Sequence, residues 1–506
     1  MYNVKLIVNK SFQKGRISPY IYGSFIEHMG RVVYTGIYEP GHPCADENGF
    51  RLDVIEKVKE MGVTCVRYPG GNFVSCYDWR DGVGDKEKRP QKREIAWKSI
   101  ETNEFGTDEF MKWARKADIA PVFAVNLGTK GIENALSLLE YCNLPAGTLY
   151  SDWRKANGEE NPYNIPIWCL GNEMDGIWQI GHKSPEDYGK LAAQTAHAMK
   201  SLDDKVKLVV CGSSSTDVPT YTDWERIVLE YTYEFIDYIS LHQYYGGQDC
   251  GTEEFLSQSV KMEKYIQTVA GICDTVKSKK KSNKQIDICF DEWGVWEIPG
   301  DEVAGSVASR DWQVAPAFSE QIYTLEDALL FASMLMTMVK NCSRVKIACQ
   351  SLLTNISAAI MTESNGEVWV QPIFYPFSFM SRYGRGNVME TVLEAPDYTN
   401  EQGLKVPYLD QIAIYNPALQ EVVFFFVNRR NEMANVNIDI QGFGNLEITE
   451  QIVMTNKNIK ADNLAVHKNV IPRKMVTFSC KGNHLVGHVE PYSWNMLRIK
   501  VVPDNE

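Results

Sequence analysis

Residues 166–175 read PIWCLGNEMD. Four apolar residues, Ile167 to Leu170, stop at Gly171-Asn172-Glu173, the pattern of a short buried strand that carries a carboxylate just past its C-terminal tip. The arrangement returns downstream, where the apolar run 286–290 leads into Asp291-Glu292-Trp293. Around these two, apolar runs centred near residues 21, 64, 121, 168, 209, 239, 288 and 349 alternate with helical periodicity or long connections. Helices are expected at 53–61, stopped by Gly62, and at 108–117 with Thr107 as N-cap. Others are expected at 132–141, 185–202, 224–233, 252–279 and 325–340; Ser184-Pro185 is a strong start for the second of these. Eight strand units joined in this way predict an α/β chain with a parallel, closed (β/α)8 barrel. An open doubly wound sheet is the competing architecture, but no glycine-rich phosphate loop follows the first strand.

From about residue 385 the period changes to short alternating runs separated by turn residues such as Asn-Pro and Lys-Gly-Asn. Strands at 411–415, 421–427, 435–440, 447–454, 474–479, 484–489 and 493–501 predict a C-terminal antiparallel β-sandwich. The expected organisation is a strand in residues 1–13 that pairs with the sandwich, a barrel over 14–384, and the sandwich over 385–506. Residues 297–320, rich in Pro, Gly and Asp, read as a loop.

Composition narrows the function classes. The 506 residues are 44% hydrophobic and 23% charged, as in soluble globular proteins, and the length suits two or three domains. A net charge of −13 argues against nucleic acid or an anionic membrane as partner. The basic run 277–284, KSKKKSNK, reads as the solvated end of a helix. The N-terminus, MYNVKLIVNKSF, lacks a signal-peptide core, and the most apolar stretch, 328–339, is too short to span a bilayer. A cytoplasmic protein is expected. The twelve cysteines form no CxxC pair, and Cys65, Cys169, Cys211, Cys289 and Cys349 lie inside apolar runs as small buried hydrophobes.

Active groups of a barrel belong at the C-terminal ends of its strands. Those ends carry Glu27 and His28; Gly71 and Asn72; Asn126; Asn172 and Glu173; His242 and Tyr244; Glu292; and Gln350. Carboxylates, amides and phenols without clustered cations suit a neutral polyhydroxylated substrate rather than a phosphate. Glu173 and Glu292, on strands four and seven, face each other as a pair of glycosidase carboxyls; spacing along the chain leaves retaining and inverting chemistry open. Glu173 beside Asn172 suits the acid/base, and Glu292 beside Asp291 suits the ionised nucleophile. His242 reads as a packed, hydrogen-bonded histidine or as a titrating group. Trp97, Trp178, Trp293 and Trp296 read as core or as sugar-stacking faces. A metal site from Glu27, His28, His242 and Glu292 fits by residue type but lacks an HxxxH or HxH spacing, so no metal and no cofactor are expected.

Several segments resemble glycoside hydrolase family 51, the intracellular α-L-arabinofuranosidases: FIEHMGR (25–31), RYPGGNFVSCYDWRDGVG (67–84), AWKSIETNEFGTDEF (96–110), WCLGNEMDGIWQIGHK (168–183), SLHQYYG (240–246) and DEWGVW (291–296). The resemblance implies a retaining, exo-acting hydrolase of arabino- or arabinoxylo-oligosaccharides with Glu173 as acid/base and Glu292 as nucleophile. It further implies that Glu27, Asn72, Asn172, Tyr244 and Gln350 bind arabinofuranose, that Trp97 and Trp296 lie towards the aglycone, that no metal is needed, and that the chain forms a homo-oligomer, commonly a hexamer. Gly294 and Ile177 stand where that family usually has Asn and Pro. An endo-acting β-glucanase on the same scaffold and a non-catalytic carbohydrate-binding protein are the alternatives.

Overall fold

The eight apolar runs become eight parallel strands: Gly23–Phe25, Cys65–Tyr68, Ala120–Ala124, Ile167–Leu170, Lys207–Val210, Tyr238–Tyr245, Asp287–Val295 and Val345–Gln350. In this computed structural model, which describes residues 1–246 and 250–502, they close into a ring in chain order. Most helices between them begin and end where the sequence places them, including Pro185–Leu202, Thr252–Lys279 and Leu325–Lys340.

Three expectations need correction. Residues 19–22 are not strand: Pro19–Tyr22 is a 3-10 turn, started by Ser18 Oγ accepting from Tyr20 N and by a proline that has no N–H to lose. The first barrel strand is therefore only three residues long, and its Gly23 is forced by crowding, since a Cβ there would lie 2.5 Å from Cys65 Sγ and 2.6 Å from Ala348 O. Helix Thr107–Ala117 starts one residue early, with Gly106 as the cap and its N–H donated to Glu109 Oε2 (3.0 Å). Within 297–320 the chain forms helix Gly300–Ser309, disguised in the sequence by Pro299, Gly300 and Gly305.

The C-terminal strands lie where the sequence places the sandwich. They form one ten-stranded ladder, in the order Arg473–Lys474, Asn445–Thr455, Ser493–Val502, Glu421–Asn428, Leu409–Asn416, Asn387–Glu394, Tyr2–Arg16, Ala434–Gln441, His484–Val489, Phe478–Lys481. All neighbours are antiparallel except Tyr2–Arg16 with Ala434–Gln441, which run parallel. The ladder folds over on itself: Phe426 stacks on Phe478, 6.0 Å between ring centres, although their strands are far apart in the order.

Burial explains the sequence patterns. Tyr2–Arg16 begins with strict alternation, Val4, Leu6 and Val8 inward and Asn3, Lys5 and Ile7 outward. Glu421–Asn428 is buried at every residue. Phe424 and Phe426 join the core inside the folded ladder, while Val423, Phe425 and Val427 join the barrel's core. Helix Leu325–Lys340, buried from Leu325 through Val339, fills the space between barrel and ladder, which accounts for a helix apolar on all sides. Among the described residues no helix is long and apolar enough to cross a membrane.

A buried ion cluster fixes the ladder to the barrel. Arg429 Nη2 pairs with Asp410 Oδ2 at 2.7 Å and donates to Ser259 Oγ at 2.9 Å on helix Thr252–Lys279. Lys340, at the end of the buried helix, reaches Asp410 Oδ1. Burial pushes the Asp410 carboxyl up, but Arg429 and Lys340 outweigh it and hold it down at about 2. Asp410→Ala leaves the buried Arg429 guanidinium without its carboxylate and should cost about 3–5 kcal/mol in urea unfolding. A loss under about 1 kcal/mol would show that the cluster does not hold the two parts together.

Candidate active site

Both glutamates arrive at the mouth of the barrel, by different local devices. After the fourth strand, Gly171 turns the chain at φ +96°, and Glu173 itself sits at φ +44°, a left-handed conformation costly for a residue with a Cβ. The turn is held by Gly176 N to Glu173 O (2.9 Å) and Lys183 N to Met174 O (2.9 Å). Glu292 lies inside its strand rather than after it. The seventh strand continues to Val295, and its pairing with Tyr238–Tyr245 is irregular between Cys289 and Glu292. A local irregularity of this kind lets the consecutive Asp291 and Glu292 face the same interior, where they are 2% and 5% exposed.

Between the two glutamates lies His242. Its Nδ1 is 3.0 Å from Glu173 Oε1 and 3.6 Å from Glu292 Oε2, and its Nε2 is 3.2 Å from Asp291 Oδ1. Carboxylate oxygens only accept, so both ring nitrogens need a proton. Burial alone would discharge the ring, but Glu292, Asp291 and Glu173 together raise its pKa well above the usual value and keep it cationic. Arg67, on the second strand and fully buried, is the other cation. It donates to Glu292 Oε1 through Nη2 and to Asn172 Oδ1 through Nη1 (3.0 Å), with Nε 3.5 Å from Asp291 Oδ2. Burial pushes the Asp291 carboxyl up, yet Arg67 and His242 outweigh it and hold it below the usual range. The Tyr244 hydroxyl donates to Glu292 Oε2 at 2.7 Å and lies 2.8 Å from Ser351 Oγ.

The rim carries the remaining residues singled out in the sequence. Glu27 is 2% exposed, and its Oε1 accepts from Phe73 N (2.9 Å) and Trp97 Nε1 (2.6 Å). Its carboxyl packs on bare backbone: a Cβ on Gly71 would lie 2.0 Å from Glu27 Oε2. Burial, then the nearby charge of Glu292, lifts the Glu27 pKa to about 8. Asn72 opens the short turn Asn72–Ser75 beside it. Gln350 is fully buried, with Nε2 donating to Ser351 O and Ser357 O and Oε1 without a partner. Trp296 packs edge-on against Tyr244, 5.4 Å between centroids. His28 lies apart from the glutamates, with Nδ1 on Glu101 (2.8 Å), Nε2 on Tyr68 (3.0 Å) and its ring stacked on Phe73. The four-residue metal grouping read from the sequence is therefore not assembled. Single ligand atoms of Glu173, His242 and Glu292 do lie within 4.8 Å of one another, each already engaged in hydrogen bonds.

Sequence reading missed Arg67, whose signal was a charge inside an otherwise apolar strand. It also passed over Asp291 as an anchor. Trp178 is half-exposed and donates to Glu173 Oε2 (2.6 Å). Asp175 Oδ2 accepts from Ser214 N (2.8 Å) and Oγ (2.9 Å), which ties the Glu173 turn to the end of the fifth strand. Gly294 faces Tyr244 in the ladder, and a Cβ there would come 3.3 Å from Ser351 O. Ile177 is 82% exposed on the Glu173 turn.

Residues 57–267 match the family model of the alpha-L-arabinofuranosidase 1 domain, and residues 291–493 that of the alpha-L-arabinofuranosidase C-terminal domain. The chain is 48% identical to an intracellular exo-alpha-(1->5)-L-arabinofuranosidase 1 of Bacillus subtilis, over 99% of both chains. It is 46% identical to an intracellular exo-alpha-(1->5)-L-arabinofuranosidase of Acetivibrio thermocellus, over 99% of this chain and 100% of that one. The solved structure of AbfB, a family 51 alpha-L-arabinofuranosidase from Bifidobacterium longum, superposes with a TM-score of 0.94 at 38% identity, covering 98% of this chain and 99% of that one.

The raised Glu27 pKa makes a stability prediction. Unfolded, the group titrates near its ordinary 4.5; folded, near 8, so the folded chain keeps the extra proton between those values. This contribution is fully present at low pH and is lost as pH rises through about 8. Glu27→Gln removes the titration. Wild-type stability relative to the variant, read from urea midpoints, should fall between pH 5 and pH 8.5 and then level off. A flat difference across that range would mean that Glu27 is ionised throughout.

Proposed function

The chain belongs to the α-L-arabinofuranosidases of glycoside hydrolase family 51, and we propose that it removes terminal arabinofuranose by retaining double displacement, with Glu292 as nucleophile and Glu173 as acid/base. One observation carries the stereochemical part. One oxygen of Glu173 and one of Glu292 lie within 4.8 Å of each other, which suits the roughly 5 Å spacing of retaining pairs better than the roughly 6.5–9.5 Å that inverting enzymes need for an intervening water.

The surroundings suit the two roles. Arg67, Tyr244 and His242 all present donors to Glu292, which favours its charged, attacking form. Glu292 attacks the anomeric carbon while Glu173 gives a proton to the leaving oxygen, producing an arabinosyl ester and a free alcohol. Water then adds to the anomeric carbon as Glu173 takes its proton, and the ester bond to Glu292 breaks. In the first step Glu292 loses its negative charge as Glu173 gains one. Cationic His242, in reach of both, faces one charged carboxylate of this pair at every stage besides Asp291, so the charge around it stays constant. Asn72, Asn172, Tyr244, Gln350 and Glu27 bind the sugar in this reading, with Trp97 and Trp296 towards the aglycone. His242, with both nitrogens taken, acts on the carboxylates rather than on a sugar hydroxyl.

The names of the relatives above favour α-1,5-linked arabino-oligosaccharides as substrate and an intracellular location. Twelve free cysteines fit a reducing compartment. The resemblance also supports a homo-oligomer, with six chains as the expected number; sedimentation equilibrium giving the mass of a single chain would overturn that assignment.

Glu292→Ala should lower turnover of an aryl α-L-arabinofuranoside at least ~10³-fold. Glu173→Ala should still cleave an activated aryl glycoside, and added azide should restore turnover and give the α-arabinosyl azide, the product of two inversions. Azide product of the β configuration would overturn the retaining assignment. Oligomeric products from a β-glucan, with no arabinose released from arabino-oligosaccharides, would favour the endo-acting alternative.

A further inference from the structure

The end of the barrel opposite the catalytic mouth holds a cavity of about 500 Å³, lined by Arg16, Ile17, Ser18, Pro19, Lys346, Arg385 and Gly386. Three of these seven residues are cations and none is an acid, in a chain whose net charge is −13. Arg16 ends the first strand of the ladder, Lys346 stands near the start of the eighth barrel strand, and Arg385 lies in the link between helix Phe374–Tyr383 and strand Asn387–Glu394. The cavity therefore sits where barrel and ladder join, and Ile17 N donating to Gly386 O (2.9 Å) ties two of its walls together.

Arg385 is held in place without a counter-charge. Its Nε donates to Ser381 O, its Nη2 donates to Ser381 Oγ (2.9 Å), and its guanidinium lies over the Tyr22 ring at 4.6 Å. Those bonds leave Nη1 without a partner in the chain. Lys346 donates to Cys342 O at 2.6 Å, also a neutral acceptor. The acid nearest in effect is Asp287, which Lys346 influences but which is hydrogen-bonded to Gln285 and does not line the cavity. Several buried arginines are matched, Arg51 with Glu39 and Asp53, Arg67 with Asp291 and Glu292, Arg89 with Glu109 and Arg429 with Asp410, whereas fully buried Arg154 is held by backbone carbonyls alone. Burial without compensation holds the Arg385 pKa below the usual arginine value. The half-buried guanidinium is fixed by neutral acceptors, which leaves its remaining edge free to take an anion in the cavity.

We propose that this cavity is an anion site that takes the phosphoryl group of a small phosphorylated metabolite or of free phosphate, bound by Arg16, Lys346 and Arg385. A doubly charged, tetrahedral group can use three cations approaching from separate segments, which a single carboxylate cannot. The ligand bridges barrel and ladder, so its effect is on stability; the carboxylates of the mouth lie at the other end of the strands.

The test is calorimetric melting of the full chain, with inorganic phosphate or glucose 6-phosphate titrated against sodium chloride of matched ionic strength. The expected result is a saturable rise in Tm, on the order of 1–3 °C, with phosphate or its ester and not with chloride. A rise that saturates at lower concentration with glucose 6-phosphate identifies the metabolite as source; saturation at equal or lower concentration with inorganic phosphate identifies the free ion. Arg16→Ser with Lys346→Ser should abolish the rise while arabinofuranoside turnover stays within about twofold of wild type. Arg16→Glu alone, at an exposed position, serves if the double variant does not fold. No rise beyond that of chloride, or an equal rise in the variants, overturns the proposal. Neither result touches the assignment of the glutamates, which is read from turnover.

Discussion

Arg67 is the charge on which the site depends. It is fully buried inside the barrel and contacts Asp291 and Glu292 of the seventh strand and Asn172 of the turn after the fourth. A buried guanidinium is tolerable only if carboxylates and amides surround it, and buried carboxylates are tolerable only if cations do. Each group is thus the condition for the others. The consequence is an interior with little freedom, in which Glu292 cannot rotate away without leaving a cation unmatched. His242 extends the same logic to Glu173, with Asp291 as the anchor behind it.

The cost of such a cluster is carried by the rest of the molecule. The barrel wall around it is apolar, with Cys169, Cys289, Cys349 and Phe25 all buried, and the Arg67 guanidinium lies 4.7 Å from the centre of the Phe25 ring. Helix Leu325–Lys340 and the folded ladder cover the outside of the barrel and join its core. A second buried cluster, Arg429 with Asp410 and Lys340, appears at that junction. Ionic groups in both places act as registration points between apolar surfaces that would otherwise slide.

Two glutamates with similar sequence surroundings end up in different settings. Glu173 stands on a strained turn at the mouth, where one of its oxygens accepts from half-exposed Trp178. Glu292 is inside a strand and faces three donors. The contrast suits the roles proposed for them, one carboxyl exchanging a proton and the other attacking.

Sequence alone determined the barrel, because eight apolar runs separated by helical periodicity leave few other ways to bury themselves. It singled out the strand ends as the place for candidate active groups, because barrels place such groups there. It also marked helix Leu325–Lys340 as apolar on all sides without showing what covers it. Tertiary structure decided what depends on neighbours. The irregular pairing that turns both Asp291 and Glu292 inward follows from the adjacent strand, and no local pattern records it. The protonation of His242 and the raised pKa of Glu27 follow from charges far away in sequence. The parallel pairing of Tyr2–Arg16 with Ala434–Gln441 joins the two ends of the chain, where alternation shows that a strand exists but not which way its partner runs. Periodicity is a property of single segments; register, pairing and electrostatic field exist only once segments meet.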